Sequence, residues 1–136
     1  EAVIADGTSP YYGPPGAGAK PDVSMRNTIA QLLERSGTAY RSGRVASCDA
    51  VYVRPPAKDQ AMRRSRVLAI DMEVAALLAV SKYRRVKAAA LLVISAPLSG
   101  LPTELGPDRP LFLNAVVRAA TALANWPETS AAAAAR

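Results

Sequence analysis

The sequence predicts an α/β fold, with helices flanking a mainly parallel or mixed sheet. Strand-like and helix-like segments alternate along the 136 residues, an order typical of parallel strands joined by helices. Residues 86–95 form a largely apolar run without polar alternation, which is typical of a strand buried on both faces. The length is that of one domain with its own core. We assign this domain to residues 1–125 and interpret residues 126–136 as a disordered tail.

Turn and capping residues place the first elements. A strand ends near residue 5, and residues 11–21 carry three prolines and three glycines, which predicts a loop. Asp22 is suited to cap a helix over residues 23–36, with Gly37 following its end. The later predicted elements are a strand over 38–47, a short helix over 58–64, a strand over 66–70, a helix over 74–83, a strand over 86–95, and a helix that begins after Asp108 and reaches residue 125.

Composition excludes several kinds of chemistry. Histidine is absent, which removes Ser-His-Asp triads and histidine-based metal sites. Cys48 is the single cysteine, so an internal disulfide and a multi-cysteine cluster are excluded, and we expect no bound metal. No signal peptide is visible, and the longest charge-free apolar run is far short of the roughly 20 residues of a membrane helix. We therefore expect a cytoplasmic protein without a membrane partner.

The net charge of +6 raises the question of a nucleic-acid partner. Basic residues are densest at Arg63-Arg64-Ser65-Arg66 and at Lys82 to Lys87. Such patches bind nucleic acid in some proteins, and in others they are solvated helix ends that complement the helix dipole. Aromatic residues are only 5% and no binding motif accompanies the charge, so we favour helix ends and do not expect nucleic-acid binding.

Two carboxylates interrupt the apolar segment 67–80, where a strand must end and a helix begin. Such junctions lie at the carboxyl edge of an open α/β sheet, which is where ligands bind. Asp71 is either a helix cap or a ligand residue. Glu73 stands in the first turn of an otherwise apolar helix, and a buried carboxylate requires donors. The two vicinal hydroxyls of a sugar would supply them.

These residues also carry a family resemblance. The segment Asp71-Met72-Glu73-Val74-Ala75-Ala76-Leu77 resembles the ribose-binding segment of the nucleoside phosphorylase superfamily, which includes uridine phosphorylases, hexameric purine nucleoside phosphorylases and methylthioadenosine-type nucleosidases. Three further stretches resemble other parts of the family in the same order: residues 5–12, 43–52 and 86–95. The resemblance covers about residues 1 to 125 and implies the C-terminal portion of a phosphorylase-like fold.

The resemblance implies a role for each matching residue. Glu73 would hold the ribose 2′ and 3′ hydroxyls, with Met72 packed beneath the sugar and Asp71 beside them. Ser47 and Cys48 would line the base pocket, and Val51 stands where the family often places a stacking aromatic. The implied reaction is cleavage of an N-ribosidic bond at C1′, by phosphate in the phosphorylases or by water in the nucleosidases. We expect the phosphate reaction, a pentosyl transfer with phosphate as co-substrate and no cofactor.

Two departures from the family pattern leave an alternative open. Ala96 stands where purine-specific members place the aspartate that protonates the leaving base, and an alanine cannot act as an acid. The family's N-terminal half, with its phosphate-binding residues, has no counterpart here. The catalytic residues are therefore unassigned, and a non-catalytic nucleoside-binding or scaffolding subunit is the alternative. Because the missing half supplies strands, we expect a homo-oligomer or a second chain to complete the sheet.

Overall fold

The computed structural model describes residues 2–4, 18–48, 55–95 and 109–127 of the protein. Within these residues the chain folds into one four-stranded sheet and four helices. The strands are β1 (Ala2–Ile4), β2 (Gly18–Ala19), β3 (Arg44–Ser47) and β4 (Val67–Asp71), and the helices are α1 (Val23–Arg35), α2 (Pro56–Arg64), α3 (Val74–Tyr83) and α4 (Arg109–Ala124).

The sheet confirms the predicted fold class. Its strand order is β2-β1-β3-β4, in which β3 runs parallel to both β1 and β4, while β2 pairs with β1 in the antiparallel sense. Ile4 pairs with Ser47, and Ser47 pairs with Asp71. The carboxyl ends of the three parallel strands therefore stop in line, at the edge where α/β proteins bind ligands.

Helix α1 forms as its capping residues predict. The Asp22 carboxylate accepts a hydrogen bond of 2.9 Å from the Met25 amide, which satisfies one of the amides left free at a helix start. Gly37 follows the helix with a φ of 65°, a left-handed conformation that glycine adopts without steric cost. Leu32 and Leu33 are buried and anchor the helix to the core.

The core lies where α3 covers the sheet. Val74, Ala75 and Leu78 form a buried cluster against which Ala88 and Leu92 pack. Helix α4 packs on α1. Its Arg118 donates a hydrogen bond of 2.8 Å to the Gly37 carbonyl, and its Ala122 is buried. Apolar packing of Val74 and Ala75 thus fixes the first turn of α3, directly after the candidate carboxylates.

Several element boundaries differ from the predicted ones for local reasons. Arg66 has a φ of 54°, which a strand residue cannot adopt, so β4 begins one residue later than predicted. The predicted strand over 38–47 is reduced to β3, because the Thr38 amide still bonds the Leu33 carbonyl at 2.9 Å. Helix α2 begins at Pro56, since proline fits the first turn of a helix.

The predicted strand over residues 86–95 is wrong. These residues form no strand, and Val86 and Ile94 are exposed. An apolar run becomes a strand only where a neighbouring strand pairs with it. Here the Ala88 carbonyl instead accepts a bond of 2.7 Å from the Asp22 amide, and Ala88 and Leu92 pack on α3. The segment is apolar because it covers a helix.

Some predictions fall partly or wholly outside the described residues. Strand β2 lies within the loop predicted over residues 11–21, whose first part is not described. The positions of Val51, Ala96 and the tail beyond residue 127 are likewise outside the described ranges. Within the described ranges, no helix combines the length and apolar character needed to span a membrane.

Candidate functional site

The candidate site lies at the carboxyl ends of β3 and β4, against the N-terminus of α3. Ser47 is the last residue of β3 and Asp71 is the last residue of β4. Met72 and Glu73 form the turn into α3. The structure thus brings together Ser47, Cys48, Asp71, Met72 and Glu73, five of the residues expected at a nucleoside site.

A hydrogen bond joins the two strand ends. The Ser47 hydroxyl donates to Asp71 Oδ1 over 2.6 Å, a short distance typical of a bond to an ionised oxygen. The same hydroxyl oxygen accepts from the Ala75 amide at 2.9 Å. Ser47 is 0% exposed, so both bonds are shielded from water. The side chain therefore ties β3 both to β4 and to the first turn of α3.

Asp71 holds the turn that carries Glu73. Its Oδ1 accepts from the Glu73 amide at 2.9 Å and from the Val74 amide at 3.0 Å. These amides belong to the helix start, where backbone donors lack partners within the helix. Asp71 is therefore a helix-capping residue, which is one of the two interpretations that the sequence left open.

The other oxygen of Asp71 has a different environment. In the part of the chain that the structure describes, Oδ2 is buried and accepts no hydrogen bond. A buried acceptor without a donor costs about 1–3 kcal/mol. The orientation of the carboxylate is consequently determined by Oδ1 and its three donors: the Ser47 hydroxyl and the amides of Glu73 and Val74.

Glu73 is exposed, so the expectation of a buried carboxylate that requires donors is wrong; its side chain is instead accessible to a ligand at the surface. Its backbone lies at φ −129° and ψ −29° and forms the cap position of α3, but its side chain makes no capping bond. One of its oxygens accepts a long bond of 3.3 Å from the Met72 amide. Met72 is itself 45% exposed. A carboxylate and a thioether thus stand together at the surface, on a turn whose backbone is fixed beneath them.

Cys48 continues β3 toward the site. Its amide donates to the Asp71 carbonyl at 2.9 Å, and its side chain is 0% exposed. This burial indicates a thiol that packs in the core rather than one that acts as a nucleophile. The contacts of Ser47 and Cys48 with a base stay predictions.

Sequence reasoning missed the backbone partner of Ser47. The hydroxyl bonds the Ala75 amide, which lies 28 positions along the chain, and no local pattern marks such a contact. The available signal was the serine itself, a polar residue following the apolar Val45 and Ala46 at the end of a predicted strand. A buried hydroxyl requires partners, so a contact with the neighbouring strand or helix could have been expected.

A large open groove lies next to these residues. Its volume is about 1520 Å³, and its walls come from α1, α3, α4 and the β3–β4 pair, together with residues 37–43 and 90–95. It is mostly apolar, and Leu68 on β4 is 46% exposed beside it. None of the five site residues lines it. In the described ranges, no group of three or more cysteine or acidic residues is placed to hold a metal ion.

The basic patches lie at helix ends. Arg63 and Arg64 occupy the last turn of α2, and Lys82 occupies the last turn of α3. Cations there interact favourably with the negative end of the helix dipole. This placement supports the interpretation as helix ends over that of a nucleic-acid surface.

The fold and this edge of the sheet define a class of protein. The Phosphorylase superfamily profile matches residues 1–126, and the chain belongs to this superfamily. Among individual proteins, it is similar to a DeoD-type purine nucleoside phosphorylase of Shewanella loihica. The two are 34% identical over 74 residues, which are 54% of this chain and 31% of the relative. The match thus spans about a third of the relative's length.

Proposed function

We propose that the protein acts as a nucleoside phosphorylase, cleaving the N-ribosidic bond of a nucleoside with phosphate. The observation that carries this proposal is the exposed Glu73 carboxylate beside Met72, on a turn whose amides are held by Asp71. Its position at the carboxyl edge of the sheet, in a chain of the Phosphorylase superfamily, supports a sugar-binding role.

Glu73 would orient the sugar. An ionised carboxylate accepts hydrogen bonds from two vicinal hydroxyls at once, and such charge-assisted bonds are short and strong. Met72 would pack against the apolar face of the ribose. Cleavage at C1′ passes through a state with positive charge on the sugar, so a fixed carboxylate nearby would also stabilise that charge.

The remaining parts of the site are proposed on the resemblance. Val51 would lie on the base side, whereas the side chains of Ser47 and Cys48 are 0% exposed, so only the backbone at the end of β3 would border the base. Phosphate would attack C1′ as co-substrate, and residues other than the sugar-side and base-side residues would hold it. No cofactor is required. Ala96 stands where purine-specific members of the family have an aspartate, and it cannot protonate a leaving purine. Nucleosides whose base leaves without protonation by that aspartate are therefore the better substrate class.

A non-catalytic nucleoside-binding or scaffolding subunit is the second candidate. Ala96 at the acid position favours it. A phosphorylase and a nucleoside-binding subunit both require Glu73 to bind the sugar, and they differ in whether phosphate strengthens binding and whether turnover follows. A scaffolding subunit requires no sugar binding.

We further propose that a second copy of the chain covers the apolar groove. β4 is the last strand in the order of the described sheet, and Leu68 on it is exposed at the groove. Light scattering should give a mass above one chain for the native protein, and Leu68→Asp should lower it. Leu77→Asp is the matched control, because Leu77 is 62% exposed but does not line the groove. A monomeric native protein would contradict the self-association, and a different co-purifying chain would indicate a second subunit.

Calorimetry tests the proposed function. Uridine, inosine, adenosine and free ribose are titrated with and without phosphate, into the native protein and into Glu73→Gln. Nucleoside binding that strengthens with phosphate and is lost in Glu73→Gln supports the phosphorylase, and a turnover assay then completes the test. Binding that is indifferent to phosphate supports a non-catalytic nucleoside-binding subunit. The absence of binding contradicts both the phosphorylase and the nucleoside-binding subunit and favours a scaffolding role. A cytoplasmic location is part of the same proposal, and the buried free thiol of Cys48 is compatible with it.

A further inference from the structure

The Ser47 hydroxyl connects three elements at one point. It donates to Asp71 Oδ1 at the end of β4 and accepts from the Ala75 amide in α3, while its own residue ends β3. The hydroxyl therefore uses a donor and an acceptor position at once. Since Ser47 is 0% exposed, water is not positioned to replace either bond.

Asp71 needs this contact to hold its orientation. Oδ1 accepts hydrogen bonds from the Ser47 hydroxyl and from the amides of Glu73 and Val74. Oδ2 is buried and has no donor in the described part of the chain. A carboxylate in this position would gain by rotating to share its donors between both oxygens. The Ser47 bond at 2.6 Å opposes that rotation, because it holds Oδ1 toward the end of β3.

The position of Glu73 depends in turn on Asp71. The Glu73 amide is bonded to Oδ1 at 2.9 Å, so a rotation of the Asp71 carboxylate would release the backbone that carries the Glu73 side chain. Packing alone does not fix this residue, since both Met72 and Glu73 are exposed. Ser47 thus stabilises, through Asp71, a turn whose two residues are exposed.

We propose that Ser47 is a positioning residue that fixes Glu73 for sugar binding without touching the sugar. The inference rests on the proposed function for the role of Glu73, whereas the anchoring of the turn can be measured without any ligand. Ser47 thereby differs from its expected role in the base pocket: it would act on ribose recognition, at the other side of the nucleoside.

Hydrogen exchange measures the anchoring directly. Ser47→Ala should speed exchange of the Glu73 and Val74 amides about tenfold, the effect of losing ~1.4 kcal/mol. These two amides bond Asp71 and not Ser47, so they report the indirect effect. Ser81→Ala is the matched control, because its hydroxyl bonds Leu77 within α3, away from the turn. If Ser47→Ala does not fold, Ser47→Cys, which keeps a weak donor, replaces it. Unchanged exchange would overturn the proposal.

Ligand discrimination separates positioning from plain stability. The affinity of a nucleoside is compared with that of its 2′,3′-dideoxy analogue in the native chain, Ser47→Ala and Ser47→Thr. Ser47→Ala should reduce the native preference for the hydroxylated sugar about tenfold, and Ser47→Thr, which keeps the hydroxyl, should restore it. An unchanged preference together with faster exchange would show a merely structural role and overturn the proposal. A native chain with no preference would instead contradict the proposed function, while the anchoring result stands by itself.

Discussion

Ser47 and Asp71 face each other at the ends of two parallel strands, and the serine hydroxyl donates to Asp71 Oδ1 over 2.6 Å. The two residues are paired by the strand register and are also joined by a side-chain hydrogen bond. The register places the two residues opposite each other, and the bond extends the sheet's pairing into the turn before α3. The exposed Glu73 carboxylate is carried on that turn.

Removing the Asp71 carboxylate should destabilise the fold. Asp71→Ala leaves a buried hydroxyl and two helix-start amides without their acceptor, and we expect a loss of about 2 kcal/mol in the free energy of unfolding. Asp71→Asn keeps a carbonyl oxygen in place and should lose about half as much. Urea unfolding at neutral pH measures both, and equal stability of native protein and Asp71→Ala would contradict the capping role.

A glycine at position 85 should stabilise the protein. Arg85 follows α3 with a φ of 57°, and its amide and that of Val86 bond the carbonyls of Lys82 and Ser81, the arrangement in which helices usually place glycine. The left-handed conformation costs a non-glycine residue about 1–2 kcal/mol. We expect Arg85→Gly to gain about 0.5 kcal/mol after the entropic cost of glycine.

Arg84→Gly is the matched control for this change. It removes the same charge from a residue with a right-handed φ of −79°, so it should lower stability by about 0.5 kcal/mol. Thermal unfolding of the two variants decides the question. Equal shifts of the melting temperature in the same direction would mean that charge, rather than backbone conformation, governs this helix end.

The cap of α1 should give a pH-dependent contribution to stability. Hydrogen bonds from the Ser24 hydroxyl and the Met25 amide lower the pKa of Asp22 below its ordinary value of 3.8, with a smaller effect from the charge of Lys87. A pKa that is lower in the folded state adds stability above the unfolded pKa, and this stability disappears as pH falls through the folded pKa. Asp22→Asn should therefore unfold at lower urea than the native chain at about pH 6, and the difference should vanish well below pH 3.8. A difference independent of pH would show that the charge of Asp22 contributes nothing.

Restoring an acid at position 96 separates the two candidate functions. If the rest of the site is competent, Ala96→Asp should add purine nucleoside cleavage, because general acid catalysis typically contributes about 10²–10⁴-fold in rate. The rate of purine nucleoside cleavage is measured as release of free base from inosine, monitored by chromatography. Ala96→Asn is the control, because its side chain cannot donate a carboxyl proton. No gain in Ala96→Asp, together with intact nucleoside binding and no phosphate-dependent release of uracil from uridine by the native protein, would favour the non-catalytic subunit.

Local patterns predicted most of the elements. Asp22 and Gly37 delimit α1 because capping and left-handed conformations depend on the residue itself. The bounds of α3 agree with its predicted range of 74–83. The segment 86–95 was predicted wrongly, because apolar character reports burial and does not distinguish a strand from a chain that covers a helix.

The candidate site was predictable in part. The motif around Glu73 and its position after a strand indicated a ligand edge, and the structure places it there. The bond between Ser47 and the Ala75 amide joins residues far apart in the chain, so it depends on the register of β3 against β4 and on the docking of α3. No local preference determines these, and the exposed face around Leu68 likewise depends on what packs against it.

The sugar-binding role of Glu73 is tested most directly by one titration. A nucleoside and its 2′,3′-dideoxy analogue are each titrated by calorimetry into the native protein and into Glu73→Ala. We expect the native protein to prefer the hydroxylated nucleoside by about tenfold or more, the value of one charge-assisted hydrogen bond, and Glu73→Ala to lose that preference. An equal preference in both proteins would show that Glu73 does not hold the ribose, and the proposed site would be wrong.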